Sequence, residues 1–156
     1  MGTKIINLSN YKKVPKFLAV EGPVGVGKTT LTKLLAESFR YETFLEQPSD
    51  NPFLANFYKN PSQSALATQL FFLFQRVKQI QDLKQGDIFT PIHVSDFLLD
   101  KDKLFAQVTL SEHELSLYNQ IYDYLSLDLP TPDLVIYLQA ETKTLFERVA
   151  QRGREI

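Results

Sequence analysis

The 156-residue chain contains no cysteine, which excludes disulfides and thiolate metal sites. It also lacks an excess of either charge: 17 Lys and Arg face 18 Asp and Glu, for a net charge of −1. That balance argues against a broad electrostatic footprint for nucleic acid or an anionic membrane, so phosphate recognition has to be local. No apolar run is long enough to span a bilayer, and Met1 to Val14 is polar and mixed, without the hydrophobic stretch of a signal peptide. No internal repeat or low-complexity segment occurs, and the length suits one α/β domain rather than two. These absences fit a reducing, cytoplasmic setting. The two histidines, His93 and His113, show no pattern for metal or acid–base work and are read as structural.

What is present is concentrated in Phe17-Leu-Ala-Val-Glu-Gly-Pro-Val-Gly-Val-Gly-Lys-Thr-Thr30. Gly22, Gly27, Lys28 and Thr29 match G-x-x-x-x-G-K-[ST], the phosphate-binding P-loop. Glycines let the backbone wrap closely enough for its N–H groups to face phosphate oxygens. Lys28 reaches the β- and γ-phosphates, and the Thr29 hydroxyl serves Mg²⁺. Phe17 to Val20 reads as a buried strand feeding the loop, and Leu31, Leu34, Leu35 and Phe39 recur at a helical period after it. The loop therefore sits at a helix N-terminus, which favours an anion. Gly22, Gly25, Val26, Gly27, Lys28, Thr29 and Thr30 form the expected binding set for a nucleoside triphosphate, ATP or another, with Mg²⁺.

Further along, Tyr41 to Leu45 reads as a second strand and Glu46 to Pro52 as a loop, followed by a short helix ending near Tyr58. The longest helix runs from about Ser62 to Gln85; its centre, Leu70 to Phe74, is apolar nearly all round, as in a helix buried on several sides. Gln69, Phe72, Leu73 and Arg76 share one face, with Arg76 two turns, roughly 10 Å, from Gln69. Ile88 to Ser95 suggests a third strand ending at Asp96, and Phe97 to Val108 a helix. Ser111 and Glu114 fit a capping box opening a helix that buries Leu115, Tyr118, Ile121, Tyr122 and Leu125. Asp133 to Leu138 is a fourth buried strand, and Glu141 to Arg152 a final helix ending at Gly153. Alternating strands and helices imply an α/β fold with a parallel sheet flanked by helices in three layers. Ligands bind such sheets outside the carboxyl ends of the strands, where Glu21, Glu46 and Asp96 fall.

The D-x-x-G and N-K-x-D segments of a GTPase are missing, which leaves a small-molecule kinase, in which catalysis is mostly positioning and charge stabilisation. From Phe17 onward the chain resembles the deoxynucleoside kinase family. Glu46 ahead of Asn51-Pro52, Phe57-Tyr-Lys-Asn-Pro61, Gln69 with Arg76, Pro132 to Leu138 and Arg148-Val-Ala-Gln-Arg-Gly-Arg154 carry the resemblance. It implies ATP-dependent phosphorylation of a deoxynucleoside 5′-hydroxyl, in nucleotide salvage, with Glu46 as base and Tyr58 on the sugar 3′-hydroxyl. Gln69 and Arg76 would read the nucleobase, with Phe72 and Asp102 in the same substrate set. Asp96 would be the acidic residue beside Mg²⁺, with Thr29, and Lys28 and Arg148 would act on the transferring phosphoryl group. Arg152 and Arg154 would clamp phosphate, since guanidinium forks suit phosphate oxygens. Relatives pair through long helices, which implies a homodimer; no nucleic acid or membrane partner is expected.

Two features depart from the family pattern. Phe97 stands where an arginine is expected after the third strand's acidic residue, so either Lys101, Lys103 or a lid arginine supplies its charge or activity is weak. The sequence stops at Arg154-Glu-Ile156, at the start of the lid, with a fifth strand and helix expected beyond it. Residues 1–15 are a lead-in and 16–156 the P-loop nucleoside kinase-like domain. The alternatives are a thymidylate-type nucleoside-monophosphate kinase, which needs an extra basic site for its acceptor phosphate, and a non-catalytic nucleotide-binding or assembly subunit of the same fold.

Overall fold

Strand β1, Phe17–Glu21, is buried at all five residues because it has a neighbour on each side and helices over both faces. In this computed structural model, which describes residues 15–84 and 92–153, the sheet order is β2 (Glu42–Phe44), β3 (His93–Ser95), β1, β4 (Leu134–Tyr137), and all pairs are parallel. Register places Leu18 beside Val94 on one side and beside Leu134 on the other. Asp133 fixes the entry to β1, its Oδ2 accepting from Lys16 N at 2.8 Å and Phe17 N at 3.0 Å.

Alternation along β1 sends Leu18 and Val20 to one face. There they meet Val94 and Ala36 of α1 (Lys28–Phe39), with Leu31, Leu35, Leu134 and Ile136 packed around them. Burying each such aliphatic side chain contributes about 1.5–3 kcal/mol. Phe17 joins a different cluster, with Ile80 of α3 (Pro61–Lys84) and Phe97. A third cluster joins α3 to α4 (Asp100–Thr109) and α5 (Glu112–Ser126) through Leu73, Val77, Ala106, Tyr118 and Tyr122. The three layers are thus α1, the sheet, and the α3–α4–α5 group. Two shorter helices, α2 (Leu54–Lys59) and α6 (Thr142–Gln151), complete the described elements, with a 3-10 turn at Pro48–Asp50 inside the expected loop. The P-loop sheet expected from sequence is present with its four strands.

Several details differ from expectation. Helix α4 begins at Asp100, not Phe97, because Ser95 Oγ donates to Phe97 O at 2.7 Å and Leu98 N donates to Glu21 Oε2 at 3.1 Å, holding 97–99 in a bend. Strand β4 is not buried on both faces: Val135 and Tyr137 are exposed while Leu134 and Ile136 turn inward. On α1 the buried stripe is Thr32 and Ala36, whereas Leu34 and Phe39 lie in solvent. Helix α3 is likewise one-sided, with Leu73 fully buried and Phe74 52% exposed. The reading of 88–91 as strand falls outside the described residues. The capping box is formed, Glu114 N donating to Ser111 Oγ at 3.4 Å and Ser111 N to Glu114 Oε1 at 3.2 Å.

Leu73→Ala is expected to cost about 2–5 kcal/mol, the loss of a fully enclosed aliphatic side chain. Phe74→Ala, one residue on, is expected to stay within about 0.5 kcal/mol of the parent. Urea denaturation of both variants checks the pair.

Candidate active site

The phosphate loop is shaped by close approaches. A Cβ on Gly22 would lie 2.6 Å from Leu138 O and 3.0 Å from Val26 Cγ1, and one on Gly25 would lie 3.1 Å from both Leu145 O and Val149 Cγ2. Gly27, at φ 103°, caps α1 without a side-chain hydrogen bond, so the first N–H groups of the helix stay free for an anion. Lys28 folds back over the loop, Nζ donating to Gly22 O at 2.9 Å and Pro23 O at 3.3 Å. Arg148 of α6 braces the loop from outside, donating to Val26 O at 3.1 Å and Gly25 O at 3.4 Å.

The strand ends converge here. Asp96, 3% exposed, accepts from Thr29 Oγ1 through Oδ2 and from Glu46 N through Oδ1, each at 2.7 Å. Glu46 in turn meets Arg76, whose Nη2 lies 2.5 Å from Glu46 Oε1 and whose Nη1 pairs with the fully buried Asp102. The guanidinium lies over two rings, its Cζ 5.2 Å from the Phe72 centroid and 5.7 Å from that of Phe97. The result is a connected polar row from α1 to α4, Thr29, Asp96, Glu46, Arg76 and Asp102, in which the Arg76 cation lies between the Glu46 and Asp102 carboxylates.

Other sequence candidates lie around this row. Gln69 is 6% exposed on α3, unusual for an amide and consistent with a side chain walled in beside Phe72. Tyr58 is exposed at the end of α2, its ring tilted against Phe57. Thr30 is exposed in the first turn of α1, Arg152 caps α6 at the surface, and Arg154 lies outside the described residues. Of the two lysines considered as replacements for the missing arginine, Lys103 points away, toward exposed Asp123 at 3.3 Å and over the Tyr122 ring. Lys101 points in: its Nζ lies 2.7 Å from Glu21 Oε1 and 3.1 Å from Gly22 O. Sequence reasoning placed Glu21 at a strand end but did not foresee its work. It accepts from Gly22 N, Leu98 N and Lys101, and so ties β1, the α4 approach and the phosphate loop together. The available signal was a carboxylate at the end of an otherwise apolar strand. The joining of Glu46 to Asp102 through Arg76 was likewise unforeseen, since it depends on packing between separate helices.

A glycine-shaped anion cradle, a lysine over it, and a hydroxyl–carboxylate pair at the carboxyl ends of a parallel sheet define a P-loop phosphotransferase. Comparison with known proteins narrows the class. The family model described as deoxynucleoside kinase matches residues 18–156. The chain is 41% identical over 143 residues to a deoxyguanosine kinase of Bacillus subtilis (strain 168), a match covering 88% of this chain and 67% of that one. It is 32% identical over 154 residues to a deoxyadenosine/deoxycytidine kinase of the same organism, covering 92% and 69%. A solved deoxyadenosine kinase from M. mycoides with bound dATP superposes with a TM-score of 0.76 at 28% identity, covering 90% of this chain and 72% of that one. The chain belongs to the deoxynucleoside kinase family, and it is an enzyme that phosphorylates deoxynucleosides. The thymidylate-type and non-catalytic alternatives are not favoured. Among the described residues, no helix is long and apolar enough to cross a membrane.

The pKa of Lys28 lies below its ordinary 10.5, first because burial penalises the ammonium and next because Lys101 stands close. The charged form binds phosphate, so triphosphate affinity is expected to fall as pH rises through that lowered pKa, with proton uptake on binding. Titrating ATP by calorimetry over a pH series reaching up to the ordinary 10.5, in buffers of different ionisation enthalpy, checks both sign and proton count.

Proposed function

We propose that the chain transfers the γ-phosphoryl group of ATP to the 5′-hydroxyl of a deoxynucleoside. The single observation that carries this reading is the convergence of Glu46, Asp96 and the phosphate loop at adjoining strand ends. In the step, the bond between the γ-phosphorus and its bridging oxygen breaks and its electron pair leaves on the diphosphate. A bond forms from the substrate oxygen to phosphorus, and the hydroxyl proton passes to Glu46. Arg76 and Asp96 orient that base, one through its carboxylate and the other through its backbone N–H. Lys28 and the free N–H groups of α1 hold the phosphates, and Arg148 keeps the loop in shape.

The Thr29 hydroxyl and Asp96 carboxylate, 2.7 Å apart, suit Mg²⁺, which takes few protein oxygens and completes its shell from phosphates and water. When bound, the ion would neutralise charge on the β- and γ-phosphates. Gln69, Phe72, Arg76 and Asp102 are the nucleobase side of the pocket in this reading, and Tyr58 the sugar side. Gln69 suits a base edge because a carboxamide offers both a donor and an acceptor. Arg152 and Arg154 would close on phosphate. We further read residues 16–156 as one kinase domain after a short lead-in, working as a homodimer in a cytoplasmic setting. The exposed Leu117 and Tyr124 of α5 supply apolar surface for such pairing.

Glu46→Gln tests the base. It is expected to lower kcat by about 10²–10⁴-fold while nucleoside KM changes little, because a general base acts in the transition state. Near wild-type kcat in a coupled ADP-release assay would remove Glu46 from the role. Gln69→Ala tests the base-reading face. It should flatten the kcat/KM ratios among deoxynucleosides with ATP affinity unchanged, since a buried amide rejects partners that mismatch its donor and acceptor. An unaltered preference order would make this face ordinary core.

A further inference from the structure

Phe97 carries no charge, and it is buried, 2% exposed and packed with Phe17 and Ile80. Yet the phosphate loop carries a second cation. The ammonium groups of Lys28 and Lys101 both donate to one oxygen, Gly22 O, at 2.9 and 3.1 Å. Two like charges sharing an acceptor repel, and among the described residues only Lys101 of the two has a carboxylate partner at contact distance, Glu21. Lys101 contributes to lowering the Lys28 pKa, so the two groups feel each other's field. A cleft of about 360 Å³ opens beside Lys101, lined by Glu21, Gly22, Pro23, Asp100 and Tyr137 together with aliphatic side chains. The arrangement holds one positive charge more than the carboxylates in contact with it balance, at the mouth of an anion cradle.

We propose that Lys101 is a second phosphate-binding cation of this enzyme, one that leaves Gly22 O to contact the terminal phosphate of the bound triphosphate and stabilises charge during transfer. This rests on the triphosphate-donor reading above. Lys101 takes no proton. It offers N–H donors to oxygens whose charge redistributes as the bridging bond breaks toward the diphosphate and the substrate oxygen bonds to phosphorus. A lysine suits the position because its ammonium is a compact point charge on a flexible stem, able to move from Glu21 to a ligand. The competing account is that Lys101 does no more than neutralise the buried Glu21.

The two accounts separate in Lys101→Gln, which keeps a donor for Glu21 and removes the charge. The proposal expects kcat to fall about 10²-fold with little change in nucleoside KM. It also expects the preference for ATP over ADP in binding to shrink, and Lys101→Arg to restore much of both. Lys103→Ala, on the outer face of α4, is expected to match the wild type. An unchanged ATP-to-ADP affinity ratio with near wild-type kcat in Lys101→Gln overturns the proposal while leaving the kinase reading intact. Should Lys101→Gln fold poorly, Glu21→Gln/Lys101→Gln leaves no buried charge unpaired and carries the same comparison. If the wild type transfers no phosphate, the kinase reading fails instead, and inorganic tripolyphosphate titrated into wild type and Lys101→Gln still decides. Weaker binding by the variant supports Lys101, and equal binding rejects it.

Discussion

Asp96 is the constraint on which the site depends. With the strand order β2-β3-β1, β3 lies between the strand that feeds the phosphate loop and the strand that delivers Glu46. The residue after β3 is therefore placed to reach both, and its two carboxylate oxygens do so, one to Thr29 and one to the Glu46 backbone. A carboxylate with so little exposure is tolerated only when its oxygens are satisfied, and leaving one unmet costs on the order of 1–3 kcal/mol or more. Sheet topology thereby becomes site geometry: displacing β3 would loosen the nucleophile's base and the phosphate loop together.

Much of this was legible in the chain because it follows local rules. The P-loop declares itself by glycine spacing, and the Ser111–Glu114 box by hydrogen bonds three residues apart. The four strands and their parallel sense follow from alternation of apolar runs with helical periods, whereas the order β2-β3-β1-β4 came only from the structure. The faces of the helices were less legible. Leu34, Phe39 and Phe74 satisfy a helical apolar pattern yet lie in solvent, because a period states which residues align and not which stripe meets the sheet. Exposure of Val135 and Tyr137 was hidden for a related reason: an unbroken apolar run reads the same whether one face or both are covered. Glu21, Lys101 and the Glu46–Arg76–Asp102 row were invisible as contacts, since each partner lies on a different element.

The substitution at Phe97 shows how a site can change its charge carriers without changing its frame. Its side chain joins the cluster that seats β1 on α3, and its ring, like that of Phe72, also lies against the Arg76 guanidinium. An arginine at 97 would have to leave that cluster to reach a phosphate, and its charge would compete with Arg76 for Glu46. With phenylalanine there, Arg76 is left to fork between Glu46 and Asp102, two carboxylates that would otherwise face each other's field in a low-dielectric pocket. The arginine is thus spent on holding two anions in place. On the other side of the sheet ends, Lys28 and Lys101 bring two further positive charges together over Gly22. Apolar packing and charge placement are in this way one constraint: the ring that fills the core decides which cations remain free for the ligand.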